Sequence, residues 1–260
     1  MASDVKECYD WGVLGCGWLG LAFARSVLDR GGSVWGTARS TEGLSRISEA
    51  GVPAFQIDLD GTHLPASGPP PCSSLLIALP SGVGHSGILA GYRTCLSAHT
   101  QWTVLISSTS VYPMEPGRYM ESDAVHRISP HSGVSVLKIE EAMAGPACSI
   151  LRAGGLVGPG RPMFRRPPSA DEHQRTMTAI HRDDVVSAIW HARDQSLVGP
   201  ANLVCPVVRS NTDCRRGQSK DTAPAFHARH MPADRLMDSG FTFSHPDPMS
   251  MPDRLVPSTS

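Results

Sequence analysis

The chain has 260 residues and a formal net charge of −1, with 23 Lys and Arg residues against 24 Asp and Glu residues. A chain of this length buries roughly 70–75% of the surface that it exposes when unfolded, so its stability requires neither disulfides nor a metal. A charge near zero gives no general attraction to nucleic acid or to acidic membranes. We therefore expect neither nucleic acid nor a membrane as a partner.

The cysteines and the N-terminus bear on the compartment. Seven cysteines are scattered along the sequence with no C-x-x-C pair, a pattern typical of free thiols in a reducing environment. No apolar run approaches the roughly 20 residues that span a bilayer, and the first residues contain no apolar signal segment. We expect a soluble, cytoplasmic protein. No His, Cys, Asp or Glu residues have the spacing of metal ligands, so no metal site is predicted.

Apolar runs alternate with helical patterns through the first two thirds of the chain. This alternation predicts an α/β fold of the Rossmann type, a doubly wound parallel sheet with helices on both faces. The first predicted strand ends at residue 14. The other predicted strands cover residues 33–35, 54–58, 75–79, 103–107, 149–152 and 201–204. The predicted helices cover residues 21–28, 42–50, 88–98, 134–144 and 183–192.

The composition changes at residue 209. Residues 209–229 are polar and lack apolar periodicity, which predicts a loop. Residues 232–260 are rich in proline and contain one apolar cluster, which we expect to dock on the main body: Leu236, Met237, Phe241 and Phe243. The sequence thus predicts a main domain over 1–208 and a small, partly flexible C-terminal appendage over 209–260.

A glycine-rich turn follows the first strand. Residues 15–20 read Gly-Cys-Gly-Trp-Leu-Gly, a G-x-G-x-x-G pattern between a strand and a helix, with a second strand at the right distance. The first glycine permits the turn, the second lets the backbone approach a pyrophosphate, and the third lets the helix pack closely. The helix N-terminus adds partial positive charge. The pattern predicts a dinucleotide site formed by Gly15, Gly17, Trp18, Leu19 and Gly20.

The residue that follows the second strand distinguishes NAD from NADP. An Asp or Glu there binds the ribose hydroxyls of NAD, whereas an Arg pairs with the 2′-phosphate of NADP. Here Arg39 follows the strand, and no carboxylate occurs until Glu42. A charge-assisted hydrogen bond from Arg39 is worth about 1.5–3 kcal/mol. The position favours NADP, with NAD as the second choice; the alternative is an exposed loop arginine.

Four segments together resemble the short-chain dehydrogenase/reductase superfamily, in its extended or atypical branch of epimerase/dehydratase-like proteins. They are residues 13–20, 106–113, 151–161 and 180–186, and their order matches the family over about residues 9–205. The resemblance implies an NAD(P)-binding Rossmann domain over 1–208. It also implies that Ser108 is the catalytic serine, and that the cofactor is contacted by Asp58, Ala78, Leu79 and Pro80.

The Tyr-x-x-x-Lys pair of active family members is absent. Four residues after Tyr9, Tyr92, Tyr112 and Tyr119 stand Val13, Leu96, Pro116 and Asp123. In the family the tyrosine donates the proton, helped by nearby positive charge that lowers its pKa. Other donors remain open here: Tyr112, His126, His131, water or the substrate itself.

Several of these residues also have structural interpretations. Ser108 can satisfy backbone groups at its strand end, and Tyr112 can be a packed aromatic residue. Lys138 and Glu141 fit a solvated pair on one helix. His181 and Asp183 match a segment that braces the substrate region in the family, although Asp183 can also act as a helix N-cap.

The sequence therefore predicts an NAD(P)-dependent oxidoreductase or epimerase-like protein that acts on an unidentified small molecule. A catalytically inactive NAD(P)-binding sensor or scaffold is the alternative, because the usual acid is missing. A third possibility is a Rossmann-like protein that binds another nucleotide or S-adenosylmethionine.

Overall fold

The computed structural model describes residues 7–58, 68–80, 85–113, 115–125, 133–164, 176–216 and 229–252. Within these ranges the chain forms a seven-stranded parallel sheet with flanking helices, which confirms the predicted Rossmann-like α/β fold. The strands of this sheet are β1 (Tyr9–Leu14), β2 (Val34–Ala38), β3 (Ala54–Gln56), β4 (Cys72–Ile77), β5 (Trp102–Ser108), β7 (Cys148–Ala153) and β10 (Gly199–Leu203).

The described helices are α1 (Trp18–Asp29), α2 (Thr41–Glu49), α3 (His85–Cys95), α4 (Gly133–Met143), α5 (Arg182–Asp194), α6 (Asn211–Arg216) and α7 (Asp234–Asp238). Two short parallel pairs lie outside the main sheet, and neither was predicted. In one, β6 (Gly117–Arg118) pairs with β11 (Arg229–His230). In the other, β8 (Gly155–Val157) pairs with β9 (Ala179–His181).

The strand order of the main sheet is β10-β7-β5-β4-β1-β2-β3. Strand β1 pairs in parallel with β2 on one side and with β4 on the other. The chain first builds outward through β2 and β3 and then returns to place β4 beside β1. Open α/β sheets bind ligands at the carboxyl ends of the strands where the order reverses in this way. The topology therefore directs attention to the residues that follow β1 and β4.

Buried apolar side chains explain why these segments form a covered sheet. In β4, Leu75, Leu76 and Ile77 are all 0% exposed, as expected for a parallel strand with both faces covered. Helix α1 buries Phe23 and Val27, which are one helical turn apart.

The described chain forms two compact units. The first comprises residues within Met1–Ile106, Ser129–Ile150 and Ala192–Gly199, and the second comprises residues within Ser107–Ile128, Leu151–His191 and Pro200–Ser260. Residues on both sides of the predicted boundary at 209 therefore belong to one unit. The core of the first unit includes Leu14, Trp35, Leu75, Ile77, Leu105, Ile139 and Ile150. A smaller cluster in the second unit consists of Val157, Ala179, Cys205 and Met251.

The start of α5 differs from the prediction. The helix begins at Arg182, so Asp183 lies inside its first turn and is not the N-cap. Instead, His181 Nδ1 accepts a hydrogen bond from the Asp183 N–H at 3.3 Å. An imidazole nitrogen thus does what the carboxylate was expected to do, because the helix starts one residue earlier than its acidic pair indicates.

The C-terminal segment is attached to α5 by a buried carboxylate. Asp184 is 0% exposed, and its two oxygens accept hydrogen bonds from Ser244 N at 2.6 Å and His245 N at 3.0 Å. The predicted apolar cluster packs in the same unit: Leu236, Phe241 and Phe243 are buried, and Phe241 contacts His191 edge-on at 5.4 Å. Met237, 45% exposed, is the member of the cluster that does not pack.

The segment that starts at residue 209 is helical where a loop was predicted. Ser210 precedes α6; its Oγ accepts from Asp213 N at 3.0 Å and donates to an Asp213 carboxylate oxygen at 2.7 Å. Such a serine with an acidic residue three positions later is close to the capping-box pattern. That local signal was available in the sequence. The remaining residues of the predicted loop, 217–228, lie outside the described ranges.

No helix in the described ranges is both long enough and apolar enough to cross a bilayer.

Candidate functional site

The turn after β1 has a backbone conformation that requires glycine at its first position. Gly15 adopts φ +89°, a left-handed conformation, which glycine reaches without steric cost. A Cβ at this position would lie 2.8 Å from the carbonyl oxygen of Ala78 and 2.9 Å from the Leu79 side chain. The segment that follows β4 therefore passes directly beside the glycine turn.

Gly20 sets the approach of α1 to the turn. A Cβ there would lie 2.5 Å from the Gly15 carbonyl oxygen and 2.9 Å from Val13 Cγ1, closer than such contacts occur. The helix therefore rests on the end of β1 at a separation that only glycine permits. This matches the close helix–strand packing expected of the third glycine in the motif.

Gly17 is different, because it faces open space. Among the described residues, a Cβ at Gly17 would meet nothing within 4 Å. Gly17 is the N-cap of α1, no side chain caps the helix there, and its first turn carries no acidic residue. The N–H of Gly17 itself bonds to the Gly15 carbonyl at 2.8 Å. The open helix N-terminus, with its partial positive charge, is suited to an anion.

Two neighbouring residues of the turn contribute their backbone and not a reactive side chain. Leu19 is 7% exposed, with its side chain in the core. Cys16 is also buried, and burial raises the pKa of its thiol to about 12, so it stays protonated at neutral pH and is a poor nucleophile. Space for its sulfur comes from Gly36, where a Cβ would lie 2.7 Å from Cys16 Sγ. Trp18 is half-buried.

Thr37, which sequence reasoning missed, holds the turn from β2. Its hydroxyl accepts a hydrogen bond from Gly15 N at 3.0 Å and donates to Val13 O at 3.3 Å. Its carbonyl accepts from Cys16 N at 2.8 Å. No local pattern marks this residue, because its partners lie more than 20 residues earlier in the chain.

Arg39 lies in the loop between β2 and α2. Its side chain is exposed, and its carbonyl accepts a hydrogen bond from Gln56 Nε2 at 3.0 Å. Ser40 caps α2 by accepting from Gly43 N at 3.2 Å. The backbone at Arg39 and Ser40 is therefore held in place. Asp58, half-buried, lies two residues beyond the end of β3.

The remaining predicted cofactor residues follow β4. Ala78 N donates to Leu14 O at 2.9 Å, which continues the pairing of β4 with β1. Leu79 packs on the core of the first unit, and Pro80 is exposed. All ten predicted cofactor residues thus lie in the first unit, in segments that follow the adjacent parallel strands β1 to β4. Their contact with a cofactor stays a prediction.

Ser108 lies in the second unit and is partly exposed. Its Oγ accepts a hydrogen bond from Ser110 N at 3.1 Å and so caps the short 3₁₀ helix Thr109–Val111. The backbone-capping interpretation therefore describes part of what this hydroxyl does. Accepting that bond fixes the oxygen and leaves its hydrogen available for donation to another oxygen. The capping and catalytic interpretations of Ser108 are thus compatible.

The phenol of Tyr112 is held in a buried polar network. Tyr112 is 3% exposed. Its hydroxyl donates to Asn202 Oδ1 at 2.6 Å and accepts from Arg152 Nη1 at 2.8 Å. The Arg152 guanidinium also lies 5.1 Å from the centroid of the Tyr112 ring and donates to the carbonyl of Glu121. The contacts favour the interpretation of Tyr112 as a packed aromatic residue, and its catalytic role stays a prediction.

Asn202 connects this network to two other segments of the second unit, one around residues 119–121 and one at Pro232. Its side-chain amide donates to the carbonyls of Tyr119 and Pro232, and its backbone N–H donates to Glu121 Oε1 at 2.9 Å. Arg229 adds a second guanidinium, which donates to the carbonyls of Thr109 and Pro113. Sequence reasoning missed both Asn202 and Arg229, because their partners are about 80–120 residues away.

The other candidates are less informative. His126 and His131 lie outside the described residues. Lys138 and Glu141 are both exposed on α4, as a solvated pair would be. The His181 ring packs against the His245 ring with centroids 4.0 Å apart and an angle of 38° between the ring planes. Within the described ranges, no group of three or more His, Cys, Asp and Glu residues has the geometry to hold a metal ion.

The parallel sheet, the glycine turn at the reversal of strand order and the segments that follow β2 and β4 together define a Rossmann-like α/β fold, the fold expected of the superfamily that the sequence resembles. No protein-family model matches the chain. Comparison with solved structures confirms the fold. A protein assigned as an NAD-dependent epimerase/dehydratase from Methylobacillus flagellatus superposes with a TM-score of 0.74 at 23% identity, over 93% of this chain and 95% of that one.

Two further proteins are similar to this chain over a comparable share of its length. The UDP-glucuronic acid 4-epimerase of Bacillus cereus, solved in complex with NAD, superposes with a TM-score of 0.62 at 16% identity, over 90% of this chain and 93% of that one. By sequence, the chain is 25% identical over 270 residues to protein YeeZ of Escherichia coli K12, covering 92% of this chain and 97% of the relative. The similarity therefore extends over nearly the whole chain in each comparison.

The contacts of the Tyr112 hydroxyl give a stability prediction. Tyr112→Phe removes a buried hydroxyl and leaves Asn202 Oδ1 and one Arg152 hydrogen bond unpaired, so we expect a loss of about 1–3 kcal/mol in the free energy of unfolding. Tyr119→Phe is the matched control, since within the described ranges that hydroxyl bonds to the carbonyl of the exposed residue Glu115, and we expect a change within about 0.5 kcal/mol. Urea unfolding measures both. Equal losses would contradict the network.

The contrast between Gly20 and Gly17 gives a second prediction. Gly20→Ala forces a methyl group against the Gly15 carbonyl oxygen, and we expect it to destabilise the protein by about 1–3 kcal/mol. Gly17→Ala places its methyl group in open space at a negative φ, so we expect a stability within about 1 kcal/mol of the wild type. Thermal unfolding of the two variants decides. A Gly20→Ala variant as stable as Gly17→Ala would show that α1 does not pack as described.

Proposed function

We propose that the chain is an NAD(P)-dependent oxidoreductase or epimerase-like enzyme that acts on a small molecule. The observation that carries this proposal is the glycine turn at the reversal of strand order, where α1 presents an uncapped N-terminus and Gly17 leaves open space. The names of two structural relatives, an NAD-dependent epimerase/dehydratase and an epimerase solved with NAD, support the same choice of cofactor.

The residues of the first unit fit a dinucleotide. A pyrophosphate would lie over the open space at Gly17, where the helix N-terminus at Trp18 and Leu19 favours negative charge. The first turn of α1 contains no acidic residue, so no carboxylate there would repel a phosphate. The segment from Ala78 to Pro80 would supply backbone beside the cofactor. Asp58, beyond β3, is the proposed contact to the adenine.

Arg39 makes NADP the proposed form of the cofactor. Its side chain is exposed, and the backbone that carries it is held by the hydrogen bond from Gln56 to the Arg39 carbonyl and by the Ser40 cap of α2. A guanidinium in this position offers two parallel N–H donors to a 2′-phosphate.

When bound, a nicotinamide supplies the hydride chemistry. The chain itself has to bind a substrate oxygen and manage a proton. Ser108 is the residue proposed for the first task, because its oxygen is fixed by Ser110 N and its hydrogen remains available. The proton has to come from a group other than a Tyr-x-x-x-Lys pair, which the sequence lacks. The hydroxyl of Tyr112 already donates its hydrogen to Asn202, so water or a substrate hydroxyl fits this role better.

The alternative is an NAD(P)-binding sensor or scaffold without turnover. Two observations favour it: the absence of the Tyr-x-x-x-Lys pair, and the buried, fully bonded hydroxyl of Tyr112. Both alternatives require the same dinucleotide site, so binding and turnover have to be measured separately.

The cofactor assignment is tested by titrating the protein with NADPH, NADH and S-adenosylmethionine while following tryptophan fluorescence. We expect NADPH to bind most tightly and Arg39→Ala to weaken NADPH roughly ten- to a hundredfold, the value of a charge-assisted hydrogen bond, while NADH is unaffected. Arg46→Ala, an exposed arginine on α2, should change neither affinity. Failure of both dinucleotides to bind at millimolar concentration would overturn the proposed function, and preference for S-adenosylmethionine would replace it.

Turnover separates the enzyme from the sensor. A panel of carbonyl compounds, alcohols and nucleotide sugars is incubated with NADPH and NADP, and absorbance and product composition are followed. We expect at least one substrate to turn over, and Ser108→Ala to lower kcat by about 10²–10³-fold, as for the loss of one oxyanion donor. Ser110→Ala is the control, because its hydroxyl has no hydrogen-bond partner in the described structure. Tight binding without turnover across the panel would favour the sensor.

A further inference from the structure

The glycine turn is held by a side chain that no dinucleotide motif includes. Thr37 lies in β2, two residues before Arg39, and is 2% exposed. We propose that Thr37 is a positioning residue for phosphate binding: it sets the conformation of the turn and thereby the place of the α1 N-terminus. This inference rests on the proposed function, since it assumes that the turn binds a pyrophosphate.

Thr37 makes three hydrogen bonds to the end of β1 and the turn that follows it. Its hydroxyl accepts from Gly15 N at 3.0 Å and donates to Val13 O at 3.3 Å. Its carbonyl accepts from Cys16 N at 2.8 Å. The hydroxyl thus has both a donor and an acceptor partner, and no other function is left for it in its buried position. One side chain fixes the backbone where the strand becomes the turn.

From Gly15 the effect reaches the helix by a direct backbone contact. The carbonyl of Gly15 accepts a hydrogen bond from Gly17 N at 2.8 Å, and Gly17 is the N-cap of α1. The same carbonyl oxygen is the atom against which Gly20 packs. A shift of Gly15 therefore moves the helix N-terminus, and electrostatic binding at a helix end falls off within a single turn.

A hydroxyl is required at this position, and not merely a side chain of the right volume. In Thr37→Val a methyl group would replace the oxygen that now lies 3.0 Å from Gly15 N. Carbon and nitrogen cannot stay that close without a hydrogen bond, so the turn has to move, and the N–H of the half-buried Gly15 loses its partner. Thr37→Ser keeps the hydroxyl and loses only a methyl group.

The expected defect is specific to the pyrophosphate. Thr37 lies in β2 and Arg39 lies just beyond the end of that strand; Thr37 faces the turn through its hydrogen bonds, whereas Arg39 is exposed. A change at Thr37 should therefore weaken NADPH and NADH by the same factor and leave their ratio unchanged. It should also leave 2′-AMP unaffected, because that nucleotide carries a 2′-phosphate and no pyrophosphate.

The test measures the dissociation constants of NADPH, NADH and 2′-AMP for the wild type, Thr37→Val and Thr37→Ser, with 2′-AMP followed by competition against NADPH. We expect Thr37→Val to weaken both dinucleotides about tenfold, with 2′-AMP within twofold of the wild type and Thr37→Ser close to the wild type throughout. Thermal unfolding confirms that each variant is folded at the assay temperature. Thr37→Ala replaces Thr37→Val if the valine variant is unfolded.

Each contrary result has a distinct meaning. A wild type that binds neither dinucleotide overturns the proposed function, and the role of Thr37 with it. A wild type that binds NADPH, with Thr37→Val within twofold of it, overturns the role of Thr37 alone. Equal loss of 2′-AMP and NADPH in Thr37→Val shows a general disturbance of the unit and also overturns the inference. So does a Thr37→Ser variant that is as impaired as Thr37→Val.

Discussion

The carbonyl oxygen of Gly15 lies so close to α1 that only a glycine is possible at position 20. The features of the first unit that bear on function depend on this contact. It brings the helix N-terminus to the carboxyl edge of the sheet, next to the segment that follows β4. Because Gly17 caps the helix without a side-chain hydrogen bond, no capping side chain offsets the partial positive charge of the helix N-terminus, which is therefore suited to an anionic ligand. Packing and ligand binding thus share one constraint.

The second unit is organised by a polar network. Arg152 is 3% exposed, and a buried charge is costly unless it is fully hydrogen-bonded. Tyr112, Asn202 and the Glu121 carbonyl provide the bonds, either to the guanidinium or to its partners. The Tyr112 hydroxyl would have to give up its hydrogen bond to Asn202 Oδ1 before it could donate a proton to a substrate. The network that stabilises the unit therefore favours a structural role for Tyr112, and its catalytic role stays a prediction.

The sequence was sufficient for the parts of the structure that local patterns encode. The strand–turn–helix around Gly15 and Gly20 was predictable because each glycine has a separate steric reason. What could not be predicted depends on partners distant in the chain: Thr37 acts on a turn more than 20 residues earlier, and Asn202 meets Tyr112 across 90 residues. The cap of α5 was missed for another reason. Histidine is not among the preferred N-cap residues, and the acidic pair Asp183 and Asp184 therefore predicted the helix start more strongly than His181 did.

The fit of the Cys16 sulfur against Gly36 has a consequence for how this sequence can change. The space that a Cβ at position 36 would need is already filled by Cys16 Sγ, 2.7 Å away. The Cβ of Cys16 would lie equally close, at 2.7 Å, so even an alanine at position 16 would leave no room for a side chain at position 36. The glycine at position 36 is thus required by a residue inside the glycine motif, twenty positions earlier in the chain. Two positions that look independent in the printed sequence have to be read as one.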